Sequence, residues 1–178
     1  MNIVLIGARG VGKTSLSWRL SRLTRRSVLS TDLLISYDHQ GHSIPAIVAQ
    51  EGGWGFFREL EYQVIQKVGR LDQIVIDTGG GVVVDLDSAG VEIFSQRKIA
   101  ALKENGFLVW LQGDPARLAR QVVADLNRPA LSTLLSEEEV MRRRMPFYAQ
   151  AADLTVQIEN RDPQELAKEI LAKIPFFV

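Results

Sequence analysis

The sequence contains no cysteine, which excludes disulfides, thiolate zinc sites and a thiol nucleophile. It has no excess charge of either sign. The 21 Lys+Arg residues balance 21 Asp+Glu residues, so no general field draws in nucleic acid or an anionic membrane. Any anion site must therefore be built locally. No apolar run approaches the roughly 18 residues that a membrane-spanning helix needs, and the apolar stretch at residues 3–6 is too short, and lacks the basic flank, for a signal peptide. Histidine is confined to His39 and His42. An H-x-x-H pair in a polar loop, without acidic or cysteine partners in ligand spacing, is a poor metal site. The chain is expected to be cytoplasmic and monomeric, without a nucleic-acid or membrane partner. What remains is ordinary globular composition: 178 residues, 46% apolar and 24% charged, enough for one domain with its own core.

Short apolar runs at residues 3–6, 27–30, 74–76, 107–111 and 154–158 read as buried strands. Between them lie helical patterns: Leu16, Leu20 and Leu23 in the first, then residues 32–70 in pieces broken near Gly41 and at Gly52 and Gly53. Further helices are expected over about 92–104, from Pro115 onward, over 137–151 and over 163–173, with a polar loop at 127–136. Strands alternating with helices imply a parallel sheet covered on both faces. In such sheets ligands bind beyond the carboxyl ends of the strands, where the glycine-rich and polar segments of this chain converge.

The segment Gly7-Ala8-Arg9-Gly10-Val11-Gly12-Lys13-Thr14 follows the first strand and opens the first helix, and it fits the G-x-x-x-x-G-K-[ST] phosphate loop. Its glycines let successive backbone N–H groups turn inward on phosphate oxygens, and the helix N-terminus adds about half a positive charge. Gly7 through Thr14, with Ser15, are the candidate nucleotide ligands. Lys13 is placed to reach the β- and γ-phosphates and Thr14 to ligate Mg²⁺.

Four other pieces fall at strand ends or in the helices beside them. Asp32 follows the second strand, either capping the next helix or facing a ligand. Arg58 lies one turn from Glu61, as a surface pair or as a pocket cation. Gly79, Gly80 and Gly81 form either a loose turn or a platform that a ligand approaches closely. Arg144 lies in a run, Arg142 to Arg144, most of which suits a solvated face. The stripe Arg19, Arg22, Arg25 and Arg26 also reads as solvated. Taken together, one carboxylate, two guanidinium groups and bare backbone amides suit an acceptor carrying a carboxylate and hydroxyls.

In this order the motifs resemble the shikimate kinase family from about residue 3 to residue 171. They are the phosphate loop, an acidic end to the second strand, Phe57-Arg58 in a helix, the triple glycine, Arg128-Pro129, and Arg144-Met145-Pro146-Phe147-Tyr148. The resemblance implies a nucleoside-monophosphate-kinase-like α/β fold, a three-layer arrangement around a five-stranded parallel sheet in order 2-3-1-4-5. It implies one P-loop kinase domain over 1–178, with an acceptor-binding segment at about 31–61 and a lid at about 124–137. It also implies transfer of the ATP γ-phosphoryl to shikimate, giving shikimate 3-phosphate. Carried over, Lys13, Asp32 and Arg128 become catalytic. Asp32, Arg58, Gly79, Gly80, Gly81 and Arg144 become shikimate ligands, Glu61 braces Arg58, Arg128 closes over the phosphates and Arg120 stacks on adenine. Other small-molecule kinases, such as a gluconate kinase, and an inactive nucleotide-binding regulatory module are the alternatives.

One departure stands out. The family's usual Asp-x-Asp at the end of the second strand is here Ser30-Thr31-Asp32, and Asp77 ends the third strand. With Thr14, Asp77 is the candidate Mg²⁺ ligand that restores the missing charge, much as a Walker-B aspartate does.

Overall fold

The structure is a computed structural model and describes residues 1–50, 52–123 and 135–176. Its centre is a parallel sheet of β1 (Asn2–Ile6), β2 (Ser27–Ser30), β3 (Ile74–Asp77), β6 (Gly106–Gln112) and β7 (Leu154–Gln157), in order β2-β3-β1-β6-β7. Along β1 the side chains alternate between two cores. Val4 and Ile6 face a layer with Ile65, Leu102 and Tyr148. Ile3 and Leu5 face one with Leu20, Leu118 and Ile170. Both faces are thus buried, which is why the strands read as continuous apolar runs rather than as alternating ones.

The first layer holds α2 (Thr31–Asp38), α3 (Ile44–Gln50), α4 (Gly53–Gly69) and α5 (Gln96–Lys103). The second holds α1 (Lys13–Thr24), α6 (Pro115–Val123) and α8 (Pro163–Lys173). Helix α7 (Glu137–Ala151) supplies Tyr148 to the first core and Met141 to the second. It starts on a Ser136–Glu139 capping box and runs through Pro146.

This is the expected three-layer α/β arrangement, with one difference. The chain makes a hairpin, β4 (Val84–Leu86) and β5 (Glu92–Phe94), between the third and fourth strands of the sheet. The expected helix over about 92–104 is therefore shorter. Glu92–Phe94 pairs antiparallel with β4, and Ser95 then caps α5 by accepting a hydrogen bond from the Lys98 backbone N–H at 3.4 Å. Counted by position in the parallel sheet alone, the strand order is the one expected. Among the described residues no helix is long and apolar enough to cross a membrane.

Candidate active site

The ends of β1 and β3 are neighbours in the sheet, with Leu5 opposite Asp77. Beyond them opens a cavity of about 610 Å³, within the usual range for a small-molecule site. The phosphate loop forms one wall. Gly12 has φ +94°, a left-handed conformation that costs glycine little, and from it α1 starts at the cavity wall. Lys13 is 8% exposed; its Nζ donates to the Gly7 carbonyl at 2.8 Å and to the Ala8 carbonyl at 3.0 Å. The lysine is held over the loop where a phosphate would lie. Arg9, Gly10, Gly12, Lys13, Thr14 and Ser15 all line the cavity, whereas Gly7 and Val11 are buried behind it.

The Thr14 hydroxyl donates to Asp77 Oδ2 at 2.7 Å. A hydroxyl and one carboxylate side by side suit Mg²⁺, which keeps several waters and shares its remaining positions with nucleotide phosphates. Among the described residues no group of three or more His, Asp or Glu side chains forms an all-protein metal cage. Ser30, which stands where the family has its first aspartate, is the register partner of Asp77 on β2. Asp77 thus ends the neighbouring strand on the same sheet edge, and the Ser30 hydroxyl accepts from the Leu33 N–H at 3.4 Å to cap α2. Ser30, not Asp32, is the helix cap.

Asp32, in the first turn of α2, lines the cavity. Among the described residues it accepts no hydrogen bond. Burial, reinforced by the nearby Glu61 and Asp77 carboxylates and opposed by Lys13 and Arg9, pushes its pKa up to about 6. If ionised Asp32 orients the acceptor hydroxyl, kcat/KM should fall below about pH 6, and Asp32→Asn should abolish that limb along with most activity. The stability effect has the opposite sign. A carboxyl whose folded pKa is raised costs stability as the pH rises past its unfolded value, and the cost is complete above the folded one, so Asp32→Asn should raise Tm at pH 8 and change it little at pH 3.

Gly79, Gly80 and Gly81 form the opposite wall in a turn closed by the Val82 N–H to Gly79 carbonyl bond at 3.2 Å. A side chain on Gly79 would collide with the Asp32 carboxylate, and one on Gly81 with the Arg58 guanidinium. The turn is glycine so that these two groups can lie against the backbone. Arg58 is not on the surface: it is 3% exposed and donates from Nη1 to Glu61 Oε2 at 2.9 Å. Its guanidinium lies 5.2 Å from the centroid of the Trp54 ring, a cation–π contact. Its Nε and Glu61 Oε1 are buried without a hydrogen-bond partner.

The other candidates are distributed less simply. Arg144 is 2% exposed but is not part of the cavity wall; it donates to both oxygens of Glu92, from Nε at 2.9 Å and from Nη2, and to the Gly80 carbonyl at 3.3 Å. Arg142 and Arg143 are exposed, as expected of a solvated face. Arg120 is exposed on the last turn of α6. A second cavity of about 440 Å³, beside Gly10 and Val11 of the loop, is lined instead by Arg117, which donates to both oxygens of Glu159 at 2.9 Å. The lid segment through residue 134, with Arg128, lies outside the described residues.

Several residues were missed from the sequence. Lys98 is fully buried, with Nζ 2.7 Å from Glu61 Oε2 and bonded to the Val84 carbonyl at 2.5 Å. Burial alone would raise the Glu61 carboxyl, but Lys98 and Arg58 outweigh it and hold it below the ordinary carboxylate value. A signal existed: Lys98 lies four residues before buried Leu102, on the apolar face of α5. Glu92 and Trp54 had none, since one depends on the unforeseen hairpin and the other reads as ordinary core.

A phosphate loop, a paired hydroxyl and carboxylate, and a cavity lined by Asp32 and Arg58 on a five-stranded parallel sheet define a P-loop phosphotransferase acting on a small molecule. Comparison narrows this further. The family model described as shikimate kinase matches residues 9–175. A shikimate kinase of Leptospira biflexa is 39% identical over 171 residues, covering 96% of this chain and 94% of that protein. Shikimate kinase from Acinetobacter baumannii, solved in complex with shikimate, superposes with a TM-score of 0.80 at 29% identity, covering 96% and 90% of the two chains. The Aquifex aeolicus shikimate kinase gives 0.78 at 28%, covering 97% and 95%. The chain belongs to the shikimate kinase family.

Proposed function

We infer that the chain transfers the γ-phosphoryl group of ATP to shikimate, yielding shikimate 3-phosphate and ADP. The observation that carries this reading is the placement of Asp32 and Arg58 in one cavity with Lys13 and Thr14 of the phosphate loop, in a chain of this family. The phosphate loop would hold the nucleotide, with adenine either against Arg120 on α6 or beside Arg117 at the second cavity. Asp32 would orient the attacking hydroxyl, Arg58 would hold the acceptor carboxylate, with Arg144 braced beneath Gly80, and the backbone N–H groups of Gly80 and Gly81 would donate to the ring hydroxyls, that of Gly79 already donating to Thr31 Oγ1 at 3.1 Å. Lys13 and the loop amides would neutralise the moving phosphoryl, which calls for charge and position more than covalent chemistry. Mg²⁺, when bound, supplies further charge neutralisation, with Thr14 and Asp77 as its protein-side neighbours. Residues 31–61 would serve as the acceptor segment and 124–137, with Arg128, as the lid that excludes water. The working unit would be a cytoplasmic monomer.

Coupled ADP release with shikimate, gluconate and other sugar acids tests the reading. Turnover with shikimate far above the others is expected. Preference for gluconate would assign another small-molecule kinase, and nucleotide binding without turnover would assign a regulatory module.

The Asp77 role has its own test. Asp77→Ser should raise the Mg²⁺ concentration needed for half-maximal kcat at least tenfold, with little change in the KM for shikimate. Because Ser30 and Asp77 are register partners, adding Ser30→Asp should recover much of the loss, through a coupling of about 1 kcal/mol or more in a double-mutant cycle. Strict additivity would leave Asp77 as a loop brace only.

A further inference from the structure

Each guanidinium near the acceptor pocket has its own glutamate. Arg58 is paired with Glu61 at 2.9 Å, Arg144 with Glu92 of the hairpin, and Arg9 with Glu137 at 3.9 Å. Arg9 is the unexpected member. It belongs to the phosphate loop, and its backbone faces the nucleotide side. Its side chain runs the other way. Its Cγ would lie 3.0 Å from a Cβ built on Gly80, so it packs against the acceptor platform. Its guanidinium lies 5.7 Å from the centroid of the Trp54 ring, the same indole that Arg58 approaches at 5.2 Å. Both arginines line the same cavity, and the Arg9 side chain is 15% exposed. Burial, together with the nearby Arg144 and Arg58 and against the pull of Glu137 and Asp32, lowers the Arg9 pKa to about 10. Arg9 and Arg58 in the cavity wall, with Arg144 behind it, repel one another, and an arriving anion relieves that repulsion.

We propose that Arg9 is a specificity-determining arm of the acceptor site: its guanidinium, beside that of Arg58, engages the carboxylate of the acceptor, so that one residue of the phosphate loop serves the nucleotide through its backbone and the acceptor through its side chain. This rests on the shikimate reading above, and a planar fork with five donors is the group best suited to it.

The test compares shikimate with its carboxamide, which lacks the negative charge. For each protein the ratio of kcat/KM on the acid to kcat/KM on the amide is measured, with the KM for ATP and the Tm. Arg9→Met should lower that ratio at least tenfold and leave the KM for ATP within about threefold. Arg9→Lys, which keeps the charge without the fork, should fall between Arg9→Met and the unaltered protein and controls for any misfolding of the methionine variant. An unchanged ratio in a folded Arg9→Met protein, or a rise confined to the KM for ATP, overturns the proposal and returns Arg9 to the nucleotide side. Absence of turnover by the unaltered protein with shikimate instead rejects the acceptor reading itself, and the proposal with it.

Discussion

Lys13→Ala should lose at least a hundredfold in kcat while keeping its fold. The lysine has no packing role in either core; its ammonium bonds the Gly7 and Ala8 carbonyls at 2.8 and 3.0 Å, on a loop that its own glycines already shape. Losing it removes a preorganised charge from the developing phosphoryl transition state, and the loss of one such donor typically costs about 10²–10³ in kcat. Its two bonds to loop carbonyls contribute about 1 kcal/mol each to folding, and for a chain of this size about 2–4 °C of Tm accompanies each kcal/mol. Lys13→Arg should not restore the rate, because a planar fork cannot occupy the place of a compact ammonium inside the loop. Steady-state ADP release beside thermal melts with and without ATP separates the two effects. A kcat within tenfold of the unaltered protein, at an unchanged melting temperature, would remove the lysine from the chemistry.

That prediction could be framed from the sequence because the phosphate loop is a local device. Its glycines, lysine and threonine lie within eight consecutive residues, and the backbone they shape makes the site. The five strands were legible for a similar reason. Their apolar runs record burial on both faces, and the sheet order follows once the first strand carries the loop. What could not be read depends on where distant elements meet. The spacing of Lys98 to Leu102 marks it as facing inward, but its partner Glu61 is found only when α5 is laid against α4. Arg144 stands out in the sequence, yet its partner Glu92 is 52 residues away on a short hairpin, in a stretch whose pattern over about 92–104 predicts an amphipathic helix. Arg9 was read through its backbone because the motif speaks only of the backbone. The direction of its side chain is set by Trp54 and Gly80, which tertiary packing alone brings near.

Lys98→Met should be the most destabilising change outside the phosphate loop, although Lys98 does not line the cavity. Lys98 and Arg58 share Glu61 Oε2 at 2.7 and 2.9 Å, and Lys98 and Glu61 are both fully buried. Lys98 also bonds the Gly81 carbonyl at 3.4 Å and the Val84 carbonyl at 2.5 Å, tying the glycine turn and the hairpin to α5. Removing one partner of a buried ion pair leaves the other charged and poorly paired, at a cost of about 3–5 kcal/mol, or roughly 6–20 °C in Tm for a chain of this size. Methionine fills most of the same volume, so the loss should come from the charge rather than from a void. The pH dependence distinguishes the two. Glu61 is held below its ordinary pKa, so its ion-pair contribution is complete above the unfolded carboxylate value and disappears as the pH falls through the lowered one. The Tm gap between Lys98→Met and the unaltered protein should therefore narrow from pH 7 toward pH 3, whereas a packing defect would keep it constant. Because Glu61 also holds Arg58, the KM for the acceptor should rise several-fold more than that for ATP. Adding Glu61→Gln should recover part of the stability by removing the stranded charge while still accepting a bond from Arg58. A pH-independent gap, with both KM values unmoved, would make Lys98 a spacer in the core rather than the brace of the acceptor site.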